Sequence, residues 1–341
     1  MRRWRIILIG VAVSFLLSLA AAELALRFMG FEPFNPDAIR RLYIGNIRVE
    51  PGGKLLEADE ILGFVNAGRR LDVTFADLRF TVTHDDQHHR ISAPPQVQAD
   101  NQSLERGIWI SGCSFTHGFG VNDEETFPYL LQESFPTYRV TNLGIESGNN
   151  VQGYLQCHQM MKAGPPPALV VLAFAGFHEI RNVSLRVRRK ELAPLNPFMS
   201  DVWMPFARLA SDGSIEVYRD RLRYREWPGQ RSWALVDLID NVYAGQQLEN
   251  SNKSAITREV IQSIVELCRL RGSKFLLAGI WPDARDTLAW CQENGIESID
   301  ISFDPVDVGF LTASKVDRHP GPKGHRHYAD LLRPKMEQLL R

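Results

Sequence analysis

Residues 107–120 read GIWISGCSFTHGFG. The first six are apolar enough for a buried strand, and the chain then breaks into Gly, Cys, Ser and more Gly. On this stretch alone, Ser114 is either a small polar turn residue or a hydroxyl that a strand delivers to the mouth of a sheet. The surrounding chain decides between the two.

Downstream the apolar runs recur as YRVTNLG (138–144), ALVVLAFAG (168–176), SKFLLAGI (273–280) and IESIDIS (296–302). Between them lie segments of helical period: ETFPYLLQESF, VQGYLQCHQMMKA, ITREVIQSIVELCRLRG and ARDTLAWCQENG. A last helix is expected over GPKGHRHYADLLRPKMEQLLR, started at a Pro/Gly turn. Near-continuous apolar strands alternating with amphipathic helices predict a five-stranded parallel sheet covered on both faces. One connection is long. Residues 176–272 separate the third and fourth strands, with the crossover helix expected only from Ile256, so an insertion occupies about 180–255.

In such a sheet, ligands bind beyond the carboxyl ends of the strands. Ser114 follows the first strand, Gly144 the second and His178 the third, while Asp317 and His319 lie in the loop after the fifth. All fall on one rim. A serine hydroxyl is a poor nucleophile until a base takes its proton, and histidine suits that task. An aspartate on the other ring nitrogen fixes the tautomer. The VDRHPG loop places Asp317 and His319 two residues apart, so one loop holds both. Backbone N–H groups at Ser114 and Gly144 are candidates for an oxyanion hole, and a glycine at 144 lets the backbone approach a carbonyl closely.

These blocks resemble the SGNH (GDSL-type) hydrolases: GCSFTHGFG for the first, NLGIESG with Gly144 for the second, and DRHPGPKGH for the last. The likeness spans about residues 106–341, less the insertion. It implies a flavodoxin-like three-layer α/β/α sandwich and a serine esterase in which Ser114 attacks an acyl ester, His319 shuttles the proton and Asp317 orients it. Neither metal nor cofactor is implied. Deacetylation of a carbohydrate is one reaction of this type. O-acyl transfer to an envelope polysaccharide and glycan or partner binding without turnover are the alternatives. The third block departs from the family, which places an Asn where AGFHEIRN has His178. A neutral imidazole N–H can also donate to an oxyanion, so His178 takes that role in this reading. Asn149, Asn150 and Asn182 are spare candidates.

The N-terminus has Arg2, Arg3 and Arg5, then an uncharged run from Ile6 to Ala22 closed by Glu23. Crossing a bilayer takes roughly 17–25 apolar residues, so this run is just long enough. Positive charge before it predicts a cytoplasmic N-terminus and an exported domain on the periplasmic or extracellular side. The small residues at 20–22 also permit cleavage after Ala22. Apolar pattern continuing through Leu24, Leu26 and Phe28 favours an uncleaved anchor over residues 1–30. Between this anchor and residue 106, the segment 31–105 carries LDVTFADLRFTVTHDDQHHRI, whose alternation predicts a small β element.

With 44% hydrophobic and 23% charged residues the 341-residue chain has ordinary globular composition, and its net charge of −1 gives nucleic acid no general attraction. Cys113, Cys157, Cys268 and Cys291 lack C-x-x-C spacing, and buried free thiols are expected over a Cys268–Cys291 bridge. His84, His88 and His89 with Asp85 and Asp86 fit no strong metal-ligand pattern and are expected in a solvated hairpin turn. His325 and His327 are expected as surface or capping residues. The arginine-rich stretches 181–192 and 217–233 are expected as solvated helices, with a grip on an acidic or sugar substrate as the alternative. Asn182-Val183-Ser184 is a glycosylation sequon by pattern alone.

Overall fold

The computed structural model describes residues 2–38, 47–51, 53–94, 96–97, 104, 106–192, 201–314 and 317–341. Parts of the expected N-terminal extension (39–46, 98–103) and of the insertion (193–200) lie outside the described residues. Helix α1 (Arg2–Phe28) opens the chain. Five short strands follow: β1 (Ile47–Glu50), β2 (Leu56–Asp59), β3 (Gly63–Asn66), β4 (Arg70–Phe75) and β5 (Leu78–Thr83). The main domain begins with β6 (Gly107–Gly112), α2 (Ser114–His117), α3 (Phe127–Ser134), β7 (Arg139–Gly144), α4 (Asn150–Ala163) and β8 (Leu169–Phe174). The long connection contains α5 (His178–Asn182), α6 (Arg186–Leu192), β9 (Trp203–Leu209), β10 (Ile215–Arg221) and α7 (Ala234–Glu249). The chain closes with α8 (Lys253–Arg271), β11 (Lys274–Gly279), α9 (Arg285–Glu293), β12 (Ser298–Asp300) and α10 (Pro322–Leu340).

The order across the main sheet is β12-β11-β8-β6-β7, and every pair is parallel. Counting only these strands along the chain, this is 2-1-3-4-5, the flavodoxin-like order. The side-chain period of two divides the core. Ile108, Ile110 and Val171 face α3 and α10, where Phe127, Leu131, Tyr328 and Leu332 cover them. Trp109, Val170, Leu172 and Leu277 face the other side, under α4, α8 and α9. Each fully buried aliphatic or aromatic side chain contributes about 1.5–3 kcal/mol, and two such layers explain why the central strands are apolar on both faces. The fold is therefore a three-layer α/β/α sandwich.

The N-terminal strands form two antiparallel units, a three-stranded sheet β1-β4-β5 and a hairpin β2-β3. The hairpin packs on the insertion, with Leu62, Phe64 and Val65 against Met204, Phe206 and Leu222. Gly63 sits at the closest approach, with φ +80° and no room for a Cβ beside Met204 Sδ.

Several residues differ from the sequence-based expectations. Stretch 217–233 is not a solvated helix. Its first part is the strand β10, paired antiparallel with β9, and its own arginines are met by the protein: Arg219 by Glu60 O and Ile61 O, Arg223 by Asp201 and Arg231 by Glu226. Arg208 forks onto Glu216 across the hairpin, and the part-buried Arg189 pairs with Asp220. These pairs give the arginines intramolecular partners. His325 is fully buried rather than exposed, because its Nδ1 accepts the Phe127 N–H at 3.2 Å and docks α10 on α3. His84 and His89 are buried too, while Asp86 and Gln87 are exposed, so the 84–89 turn is solvated at its tip and packs against protein at its base. Asn182 of the sequon is fully buried, bonded to Asn150 and Thr257. All four cysteines are buried and free.

Candidate active site

Ser114 stands two residues beyond β6, beside the point where the strand order reverses. The chain after Ser114 makes the single turn α2 and exits through Gly118, whose φ of +91° suits glycine and whose N–H donates to Ser114 O at 2.8 Å. This turn aims the hydroxyl across the sheet end. His319 Nε2 lies 2.9 Å from Ser114 Oγ, and His319 Nδ1 lies 2.6 Å from Asp317 Oδ1. An ionised Asp317 only accepts, so Nδ1 carries the proton and Nε2 is left bare to accept from the serine hydroxyl. Asp317 Oδ2 in turn accepts from Thr312 Oγ1 at 2.8 Å. Thr312 also donates its N–H to His319 O at 2.9 Å, which ties the loop to itself. Phe115 and Phe119 hold the imidazole by ring contacts at 5.2 and 4.9 Å.

The electrostatics agree with this tautomer. Burial presses the Asp317 carboxyl upward, but hydrogen bonds from His319 and Thr312 outweigh it and hold it below its ordinary value. For His319, burial acts downward, while the bond and charge of Asp317 and the charge of Glu146 lift it above an ordinary imidazole. An imidazolium formed during proton transfer is thus stabilised in place.

The structure also redistributes the oxyanion candidates. Gly144 N–H donates to Asn142 Oδ1 at 3.0 Å, and Gly144 O accepts from Asn66 Nδ2 at 2.9 Å. Its need for glycine is steric, since a Cβ there would stand 2.3 Å from His117 N in the α2 turn. Ser147, three residues on, has φ +59°. Among the described residues, none accepts from its N–H, nor from that of Ser114. His178 is buried, and its Nδ1 accepts from Ala175 N–H at 3.3 Å and faces Asn150 Nδ2 at 3.5 Å. Nδ1 is therefore the acceptor and Nε2 carries the proton. That Nε2–H is buried without a partner. Burial, with Arg181 and Arg188 nearby, holds the His178 pKa well down and keeps the ring neutral. Asn149 caps α4, and Asn150 and Asn182 lock α4 to α5.

Four residues that sequence reasoning missed shape this rim. Arg90, fully buried, donates to His117 O, Gly118 O, Val121 O, Thr81 O and Asp123 Oδ1 at 2.5–3.0 Å. It thereby fixes the loop that leaves Ser114. Asp283 accepts the N–H groups of Gly176 and Phe177 at 2.7 and 3.0 Å, which sets the loop that ends at His178. Thr312 supports Asp317. Glu146 places a buried, unpartnered Oε2 3.6 Å from His117 Nδ1, and His117 Nε2 meets His84 Nε2 at 2.9 Å. Burial pushes Glu146 up to about 7. Apart from Thr312 and Asp317, five residues apart, these residues meet partners distant in sequence, so no local signal announces them.

No protein-family profile and no curated protein matches the chain. Solved structures do. TesA matches at 16% identity and TM-score 0.40, over 69% of this chain and 99% of its own. A lipolytic G-D-S-L family member from Veillonella parvula matches at 11% identity and TM-score 0.37, over 66% and 94%. A GDSL-like lipase from Bacteroides thetaiotaomicron matches at 15% identity and TM-score 0.36, over 71% and 96%. Four of the five structures compared are described as G-D-S-L lipolytic proteins or GDSL-like lipases. Such loose superpositions carry no weight on chemistry, which has to come from the site itself.

Proposed function

We propose that this chain is a serine esterase of the SGNH type, held at a membrane by α1. The observation that carries the reading is the hydrogen-bonded chain Ser114–His319–Asp317, drawn from loops 205 residues apart and closed at 2.9 and 2.6 Å. Ser114 Oγ attacks the acyl carbonyl as its proton passes to His319 Nε2. The carbonyl oxygen becomes an oxyanion, which His178 Nε2–H and the free N–H groups at Ser114 and Ser147 are suited to receive. Collapse breaks the ester C–O bond, and the leaving alcohol takes the proton from His319. A water then repeats the cycle on the acyl-enzyme, with His319 as base. Supplying a glycan hydroxyl in place of water would make the same intermediate a transferase.

The test is a fluorophosphonate probe on the full-length protein, with the adduct mapped by mass spectrometry. Labelling at Ser114, lost in His319→Ala, is the expected result. A folded protein that takes no label would make the site a binding surface instead. Acetylated xylo- or chito-oligosaccharides, with and without an unacetylated acceptor, then separate hydrolysis from transfer.

The anchor reading rests on length and composition. Helix α1 is long and apolar enough to cross a bilayer, and 6% of its most apolar window is buried in the protein. Its helix runs unbroken past Ala22 to Phe28, and Glu23 and Arg27 are bonded into the domain. Retention of α1 in the mature protein, read by intact mass, is the expected outcome; a chain starting at Glu23 would overturn the anchor.

A further inference from the structure

Helix α7 has two faces of opposite character. Asp237, Asp240 and Ala244 are buried against the insertion, where Lys190 Nζ bonds Asp237 at 2.6 Å and Arg186 pairs with Asp240. On the other face Ile239, Val242 and Tyr243 are 48, 53 and 49% exposed, and Trp233 just before the first turn is 41% exposed. Positions 239, 242 and 243 follow the i, i+3, i+4 spacing and form one stripe. Trp227 adds its ring beside Tyr243, with centroids 5.8 Å apart. Contiguous exposed apolar surface of this kind marks an interaction site.

What covers the stripe is indicated by α1. Glu23, the residue that ends the uncharged run, accepts the N–H of Ala234 on one carboxylate oxygen and the N–H of Leu235 on the other, both at 2.9 Å. A carboxylate on the free N–H groups of a helix N-terminus satisfies them and complements the helix dipole. Arg27 pairs with Glu23 at 2.6 Å and donates to Ser232 O at 2.7 Å. The start of α7 is thus pinned to the turn of α1 that leaves the apolar span. Around it Leu24, Phe28 and Met29 are 69, 95 and 70% exposed.

We propose that the exposed face of α7 lies on the surface of the bilayer that α1 enters, so that the two helices together seat the domain on lipid. This rests on the reading of α1 as an uncleaved anchor. Trp and Tyr are enriched at the membrane–water boundary, and a helix with an apolar stripe settles there with that stripe about 5–10 Å into the headgroup layer. At about 1.5 Å per residue, the exposed apolar positions from Trp233 to Tyr243 add roughly 15 Å of contact length to an attachment otherwise made by one helix. The buried acids of α7 bond to Arg186 and Lys190 of α6, so the seat is tied to the segment that follows α5.

The experiment uses the full chain in phosphatidylcholine/phosphatidylglycerol vesicles. Single cysteines at Val242, Phe28 and Asn294 carry a nitrobenzoxadiazole probe, and the native cysteines, all buried, leave the parent protein unlabelled as a control. Nitroxide-bearing lipids are expected to quench the probes at 28 and 242 and to leave 294 bright, and Ile239→Glu is expected to abolish quenching at 242. Quenching at 28 without 242 overturns the docking while the anchor stands. Failure at both sites overturns the anchor, and the docking with it. Shielding of the 242 probe in native membranes but not in pure lipid would assign the face to a protein and also overturn the proposal.

Discussion

Glu146 adds to what Asp317 does for His319, since the bond and charge of Asp317 raise the base more. The Glu146 side chain faces His117 at 3.6 Å, and its charge is among the influences that raise His319. The base is active only when neutral, so kcat/KM rises with pH through the His319 pKa in the free enzyme. Because that pKa is raised, the acid limb is expected above the ordinary imidazole value of about 6.5. Glu146→Gln removes negative charge, stabilises the imidazolium less, and is expected to move the limb to lower pH. A pH–rate profile with an unmoved limb would take Glu146 out of the electrostatics. Asp317→Asn is expected to be harsher. An amide can hold His319 in the wrong tautomer, and the loss of kcat in the best-studied triad is about 10⁴-fold. Circular dichroism should remain native, which separates the tautomer effect from unfolding. For His178, the orphaned Nε2–H predicts a fall in kcat of about 10²–10³-fold in His178→Phe, with KM little changed. A change in KM alone would make His178 a binding residue.

At the scale of elements, Gly144 holds its place after the second strand for a steric reason. Ser114, Asp317 and His319 were legible because the motif residues sit at strand ends and in one short loop. Gly144 was legible as a glycine after the second strand, but its N–H is spent on Asn142 and its missing Cβ makes room for α2. Gly144→Ala is therefore expected to push the nucleophile turn away from β7, costing about 1–3 kcal/mol as overpacking does and lowering kcat together with the chemical-denaturation midpoint. Loss of kcat at unchanged stability would point back to a direct oxyanion role. The hairpin β9–β10 was illegible for a related reason. Both of its strands carry arginines whose charged ends are met by the protein, Arg208 by Glu216 and Arg219 by the carbonyls of Glu60 and Ile61, so the alternation that marks a strand is blurred in sequence. His325 likewise reads as a polar helix start, and only the packing of α10 on α3 buries it.

Across the whole molecule, the segment before residue 106 is bonded into the candidate site rather than appended to it, and Arg90 is the reason. Its guanidinium reaches Thr81 O on β5 and, through the other donors, Asp123 and three carbonyls of the loop 117–121 that leaves Ser114. A planar fork with five donors can satisfy this many acceptors from one buried point, which a lysine cannot. Removing it leaves Asp123 and several buried carbonyls unpaired, and breaking a buried pair from one side costs about 3–5 kcal/mol. Arg90→Met, which keeps much of the volume, is thus expected to lower the urea midpoint with an unchanged slope. Arg90→Lys should recover only part of the loss. The more telling readout is activity measured well below the unfolding transition. If Arg90 positions the nucleophile loop, fluorophosphonate labelling of Ser114 slows in the folded variant; an unchanged labelling rate would confine Arg90 to stability and detach the N-terminal strands from the chemistry.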